Sequence, residues 1–337
     1  MIPHSQPTLG ADEQHAVARV IASGWVAQGE EVAAFEDELC QFLDLPAGHT
    51  VAVSSGTSAL YLALWVLGAK GMRVGLPVYA CAALRNAVGM IQGRPVYLDC
   101  EPNSPNVSFA AAQNANIDIL ISPSMYGIPA VPGSDRGYKL IEDLAQALGA
   151  AIDGTKLGHF GEVAICSFYA TKLITSGGQG GAVVSRDKTL IDAVRDYRQF
   201  DCREDSKLRF NFQMTDLQAA VGRVQLKKLP EFLSKRQELF EMYRQKGLTL
   251  LGVDEQKYEP VRYRAVLQCN DSSSLQETLL DHNIEAIVPI ETWELLAEPR
   301  RYPISKALTE STLSLPLYPS LTHRDGNSIA KLLLEFL

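Results

Sequence analysis

The sequence predicts an α/β protein: a mostly parallel seven-stranded sheet flanked by helices, followed by a smaller C-terminal α+β domain. Three observations lead there. From about residue 50 to 190, short β-branched runs alternate with longer stretches of helical periodicity, the pattern of βα units around a parallel sheet. From Thr215 to about Lys246 apolar residues recur at near-helical spacing, which makes a long connector. The remainder carries only two or three short strands and two helices. The chain has 337 residues, more than a single core usually supports, so two units are expected: residues 1–235 for an N-terminal segment plus large domain and 236–337 for the small one.

Taken in order, the expected strands are Thr50–Val53, Arg73–Leu76, Pro95–Leu98, Ile117–Ile121, Tyr138–Glu142, Val163–Phe168 and Gly181–Ser185. Helices fit between them, Ser58–Leu67 after the first and Ala80–Met90 after the second. In the connector, Leu217, Val221, Val224, Leu229, Phe232, Leu239 and Tyr243 form the apolar stripe, and Pro230 is expected to interrupt or kink it. Strands at Arg262–Leu267 and Ala286–Pro289 and helices at Ser274–Asp281 and Gly326–Phe336 complete the small domain. No internal repeat is present.

Composition removes several classes of function. Apolar residues at 46% and charged residues at 21% fit a globular protein rather than a disordered or fibrous one. A net charge of −8 and the absence of any basic run argue against a nucleic-acid partner. The first residues, MIPHSQPTLGADEQ, lack a cationic start with an apolar core, and the apolar stretch near Leu60–Leu67 is too short to span a bilayer, so a cytoplasmic protein with no membrane contact is expected. Six cysteines without a CxxC pair read as buried free thiols, and six dispersed histidines offer no metal site.

In an open α/β sheet ligands gather beyond the carboxyl ends of the strands, and three of those ends carry chemistry. The first strand runs into SSGTSAL, Ser54 to Leu60, where a glycine turn and hydroxyls open a helix. Free N–H groups at a helix start bind phosphate, although the same residues also serve plain capping. The fifth runs into IEDLAQA, which puts Asp143 at the ligand edge with Gln146 about a helical turn on. Asp143 there either holds a pyridinium nitrogen protonated or caps a following helix. The sixth runs into SFYATK and a glycine cluster, so that Ser167 emerges at the strand end and Lys172 follows in a loop. A lysine is protonated at neutral pH and becomes a nucleophile only when desolvated or set beside another cation. Phosphate donors, an acidic partner for a ring nitrogen and a lysine, in that chain order, are what a phosphate-bearing pyridine aldehyde requires. No GxxxxGK[ST] is present, which excludes a nucleotide P-loop.

The segments SGTSAL, IEDLAQALGA, SFYATK with the following GQGG, NFQMTDLQAAVGRVQLKKL and LSLPLYPSLT, together with the opening IPHSQPTLGADEQ and SGWVAQGEEVAAFEDEL, resemble the DegT-type sugar aminotransferases across essentially the whole chain. The resemblance implies the aspartate-aminotransferase-like fold, with pyridoxal 5'-phosphate as cofactor. Lys172 would be the lysine that bonds it, Asp143 would face the pyridine nitrogen and Gln146 the ring hydroxyl, while Gly56, Thr57 and Ser167 would hold the phosphate. Asn211 matches an asparagine that in this family reaches the phosphate of the neighbouring subunit, which implies a homodimer with shared active sites.

Five places depart from the family pattern. Cys81 stands where an aromatic usually covers the cofactor ring, leaving Tyr79 as a candidate for stacking. Gln213 replaces an arginine and Gln179 an acid, Ser124 stands in place of a histidine, and the usual tyrosine, proline and histidine stretch is not recognisable in IEAIVPIETW. The activity implied is transfer of an amino group from an amino acid, glutamate above all, to a keto group of a nucleotide-linked sugar or similar intermediate. Two other readings stay open: a catalytically silent member acting as a regulatory or binding protein, and a family dehydratase. Those dehydratases replace the lysine with histidine, which Lys172 opposes.

Overall fold

The computed structural model describes residues 1–252 and 258–337. Seven strands form the main sheet: β1 (Thr50–Val53), β2 (Arg73–Pro77), β3 (Arg94–Leu98), β4 (Ile119–Pro123), β5 (Lys139–Asp143), β6 (Val163–Ser167) and β7 (Gly181–Val184). They lie in the order β1-β7-β6-β5-β4-β2-β3. Only β7 runs against the rest, paired antiparallel to both β1 and β6. All seven expected strands exist, each displaced by no more than two residues at either end, and the sheet is mostly parallel as the alternation of patterns required.

The inner strands are buried on both faces, while the edge strand β3 is partly exposed. Along β6, Val163 and Ile165 join one core while Ala164 and Cys166 join the other, because successive side chains point to opposite faces. The first core also takes α3 (Gly56–Val66), α4 (Ala83–Met90) and α6 (Lys188–Arg198); the second takes α2 (Glu30–Phe42) and part of α7 (Asp216–Gln245). Helix α3, GTSALYLALWV, is apolar nearly all round, which suits a helix covered by the sheet on one side and by α4 and α6 on the other.

Pro230 does not interrupt the connector. Helix α7 runs unbroken for 30 residues and has buried positions on both sides of the proline, including Leu226, Leu229, Phe232 and Leu239. Packing of that stripe holds the turn from which the missing N–H withdraws one bond. The helix passes through residues 235 and 236 without a break and continues into a separate core. There Leu239, Phe240 and Tyr243 meet β8 (Ala265–Gln268), its antiparallel partner β9 (Thr312–Leu315), and α10 (His323–Leu333). The expected strand at Ala286–Pro289 is reduced to one bridge, Ile287 to Ser314. Helices α1 (Ala11–Ser23) and α2 are among those not anticipated, and both pack on α7.

The cysteine expectation holds in part. All six thiols are free, but only Cys40, Cys100 and Cys166 are buried, while Cys81 and Cys202 are exposed. No helix among the described residues is long and apolar enough to cross a membrane.

Candidate active site

The antiparallel β7 sets the floor of the site. In register, Gly181 stands opposite Val53 on one side and Ser167 on the other. Here the carboxyl ends of β1 and β6 meet the start of β7 at one level of the sheet. A β-carbon on Gly181 would lie 2.4 Å from the Ser55 carbonyl oxygen and 2.7 Å from the Gly56 nitrogen. The glycine cluster therefore allows close approach of the protein's own helix start. Gly56 is equally constrained, since a β-carbon there would meet Ser167 Cβ at 2.8 Å and Oγ at 3.0 Å.

Ser55 caps α3, its hydroxyl accepting from the Ser58 N–H at 3.1 Å. The capping and anion-binding roles coexist, because the N–H groups of Gly56 and Thr57 remain without a partner among the described residues and both residues line the cavity. With the Ser167 hydroxyl beside them, they make an anion cradle at the positive end of a helix dipole.

At the end of β5 the chain separates two acids. Glu142 points to one face, where its carboxylate accepts N–H bonds from Gly158, Phe160 and Gly161 at 2.7–2.8 Å. Asp143 points to the other and lines the cavity. No helix follows it; residues 144–149 form turns, and Asp143 Oδ1 accepts from the Ala145 N–H at 2.9 Å. Its Oδ2 has no hydrogen-bond partner among the described residues. Burial pushes the Asp143 carboxyl above its ordinary range, with the Ala145 bond and the charge of Lys172 opposing that shift. A cationic N–H on Oδ2 would supply the missing partner.

Gln146 follows in the same turn. Its Oε1 accepts from the Tyr126 N–H at 2.7 Å, which fixes the amide so that its NH2 group, weakly engaged by Met125 Sδ at 3.9 Å, is the end left for a ligand. Tyr126 is itself in the left-handed region at φ 61°, followed by Gly127 at φ 87°. This turn also docks the C-terminal region, since Tyr126 O accepts from the Tyr263 N–H at 3.2 Å and Gly127 O from the Val261 N–H at 3.0 Å.

Lys172 sits on a loop closed on itself by three backbone bonds: Phe168 N–H to Gly180 O, Ala170 N–H to Gly178 O and Ser176 N–H to Phe168 O. Its Nζ lies 5.4 Å from the centre of the Tyr263 ring. Tyr263 is 8% exposed. Burial alone would raise its phenol, but the charges of Lys172, Arg264 and Arg236 and a bond with Thr171 outweigh it and bring the phenol below its ordinary value.

One cavity of about 590 Å³ thus collects Gly56, Thr57, Cys81, Asp143, Gln146, Ser167 and Lys172. The eighth expected residue, Asn211, stands outside it, exposed, with its Oδ1 accepting from the Gln213 N–H at 3.0 Å. Tyr79 is not the stacking group: it is completely buried, its hydroxyl 2.7 Å from that of Tyr126, and does not line the cavity. Sequence reasoning missed the wall supplied by the C-terminal region, Tyr263, Arg264, Ile290 and Trp293. The signal available was charge inside an otherwise strand-like run, PVRYRAV. No cluster of three or more His, Cys, Asp or Glu among the described residues could hold a metal.

A seven-stranded sheet with one antiparallel member, a helix-start anion cradle, a buried acid wanting a cationic donor and a loop lysine fit pyridoxal phosphate, and they define an enzyme of the aminotransferase fold-type I class. The chain belongs to the DegT/DnrJ/EryC1/StrS aminotransferase family, whose profile it matches over residues 7–334. That family is pyridoxal-phosphate dependent. The chain is 30% identical to the GDP-perosamine synthase of Vibrio cholerae over 95% of each protein. It is 28% identical to the dTDP-4-dehydro-2,3,6-trideoxy-D-glucose 4-aminotransferase of Saccharopolyspora spinosa, covering 98% of this chain and 95% of that one. Among solved structures it is similar to the aminotransferase TlmJ from Streptoalloteichus hindustanus, with a TM-score of 0.90, 28% identity and coverage of 99% and 98%.

Proposed function

We propose that this protein is a pyridoxal-phosphate-dependent aminotransferase that moves an amino group from an amino acid, glutamate being the first donor to test, to a keto group on a nucleotide-linked sugar. The observation that carries the reading is the convergence of Lys172, Asp143, Gln146, Ser167 and the free N–H groups of Gly56 and Thr57 on one cavity. The names of the relatives supply the acceptor class.

The cofactor contributes an electron sink at the substrate carbon, and the chain supplies everything else. Lys172 Nζ would be the amine that holds the cofactor and also the base that carries the proton at the substrate carbon; a base within about 3 Å is required, and Lys172 lines the same cavity. Asp143 would keep the ring nitrogen protonated, and Gln146 would donate to the ring hydroxyl. Gly56, Thr57 and Ser167 would bind the phosphate. Cys81 lines the cavity where relatives carry an aromatic, so a ring held beside it would be covered with less stacking area.

Borohydride reduction of the loaded protein should leave the cofactor on the peptide containing Lys172, and glutamate alone should convert the loaded protein to its amine form, which a keto-sugar nucleotide then reverses. Labelling at another lysine, or no spectral change with any amino donor, would return the silent-member reading to the front. Asp143→Asn should still take up cofactor but turn over more slowly by roughly two to four powers of ten, the range for a group that sets protonation in the transition state. A mutant within threefold of wild type would remove Asp143 from this role.

Asn211 is exposed and outside its own subunit's cavity, on a segment that pairs with the end of β1 through Gln213 and Val53, which leaves it accessible to a neighbouring subunit. This supports a homodimer with shared sites. Asn211→Ala is expected to weaken cofactor retention about tenfold, as for loss of one hydrogen bond to a charged group, with no change in melting temperature of the cofactor-free protein. A fully active monomer at high dilution would contradict it.

A further inference from the structure

Of the charged groups lining the cavity, Arg264 has no role in the arrangement described so far. It enters from the residue before β8, beside Tyr263, and its Cζ lies 5.4 Å from the Tyr263 ring centre. Lys172 Nζ is at the same distance from that ring, so the two cations are separated by no more than twice that length. No carboxylate pairs with Arg264 among the described residues. Among the described residues its Nη1 alone is hydrogen-bonded, 3.1 Å from His4 Nε2 and 3.2 Å from Ser314 Oγ. An arginine can only donate, so His4 Nε2 must accept, which requires the neutral imidazole. Burial first, then the charges of Arg264 and Arg236, hold His4 in that state by depressing its pKa to about 3. The remaining Nε–Nη2 edge, with its two parallel N–H groups, is the edge that grips a carboxylate in bidentate fashion.

We infer that Arg264 is the carboxylate anchor of the amino donor, oriented by His4 and Ser314. This rests on the aminotransferase reading above and specifies the substrate group that this part of the site takes. A donor whose nitrogen lies at the position of Lys172 Nζ places a carboxylate carbon roughly 2.5 to 6 Å away at ordinary bond lengths, which is compatible with the upper bound on the separation of the two cations. One planar fork with one face already braced suits a single carboxylate. A diphosphate would call for a second supported cation, and the cavity's other arginine, Arg85, is exposed and has no side-chain hydrogen bond or ion pair among the described residues. His4 is a positioning residue. It is itself fixed to the C-terminal region, with its N–H donating to Glu285 Oε2 at 3.2 Å and Ile2 bridged to Ile284.

The test uses loaded full-length enzyme and two separate readouts. Calorimetric titration with glutarate, an unreactive dicarboxylate, measures binding without turnover, and the two half-reactions are followed separately by absorbance. Arg264→Gln is expected to weaken glutarate binding and raise the half-saturating glutamate concentration by roughly 10- to 100-fold, as for loss of a charge-assisted pair, while leaving the keto-sugar half-reaction within threefold. His4→Ala should raise the glutamate requirement less, roughly three- to tenfold, with the limiting rate unchanged and with partial recovery in His4→Gln, whose amide oxygen can accept from Nη1. Loss of nucleoside diphosphate binding with glutarate binding intact would overturn the assignment, as would unchanged donor saturation in Arg264→Gln. Absence of any amino-group transfer in wild type, with glutarate binding present and dependent on Arg264, would defeat the aminotransferase reading and leave the anchor standing.

Discussion

Replacing Lys172 with alanine is expected to give a folded protein that still takes up pyridoxal phosphate yet transfers amino groups more slowly by roughly four powers of ten or more. One side chain does two jobs, holding the cofactor and moving the proton, so both are lost together and no neighbour can substitute. The Tyr263 ring centre is 5.4 Å from Nζ, and Tyr263 is bonded through its own backbone to Tyr126. The anion cradle at Gly56, Thr57 and Ser167 is untouched, which is why binding should persist. The check is cofactor content after gel filtration beside single-turnover rates, with a small primary amine added to the variant. Partial rescue by the free amine is the expected signature, and a variant within tenfold of wild type would remove Lys172 from the chemistry.

The largest effect on stability is expected from Gly127→Ala. A β-carbon at Gly127 would lie 1.7 Å from the Val261 carbonyl oxygen, on a backbone already at φ 87°. Neither partner is a flexible side chain that could swing away. Relieving the overlap must break the pair of bonds by which residues 126 and 127 hold 261 and 263, and with them the Tyr126 N–H that fixes Gln146. We expect a loss of about 4 kcal/mol or more, at the exceptional end for single substitutions, read as a shift of the denaturant midpoint. Gly133→Ala, with nothing within 4 Å of the added carbon, should stay within about 0.5 kcal/mol. Equal stability of the two variants would show that the 126–127 turn does not register the C-terminal region.

These two residues also mark what the sequence could and could not disclose. Lys172 was legible because the elements that place it are local: a buried strand ends at Ser167, and a glycine-rich return leads to the next. The same holds for Asp143 and for Gly56 and Thr57, each one strand end away from an alternating apolar pattern. Gly127 and Tyr126 were not, since their left-handed backbone is imposed by contact with residues some 135 positions later, and nothing in SMYGIP announces it. Tyr79 misled for a related reason: its place beside Cys81 in sequence suggested the cavity, whereas its hydroxyl is claimed by Tyr126 in the core. Arg264 and Trp293 belong to short, irregular segments where periodicity carries little information, so the wall they build became visible only with the fold. Pro230 shows the converse, a strong local signal overridden by the buried stripe of α7.

The bracing of Arg264 by His4 sets a condition on how the protein matures. His4 and Ser314 are 310 positions apart, so at ordinary rates of synthesis the ribosome makes the second about 15 to 60 s after the first. During that interval all seven strands of the main sheet and the Lys172 loop have left the exit tunnel and can pack, while the segment at residues 2–4 has no surface to dock on. The donor side of the pocket is therefore completed later than the cofactor side, because its brace waits for β9. A nascent chain arrested before residue 312, where β9 begins, should be able to capture cofactor before it can tell one amino donor from another.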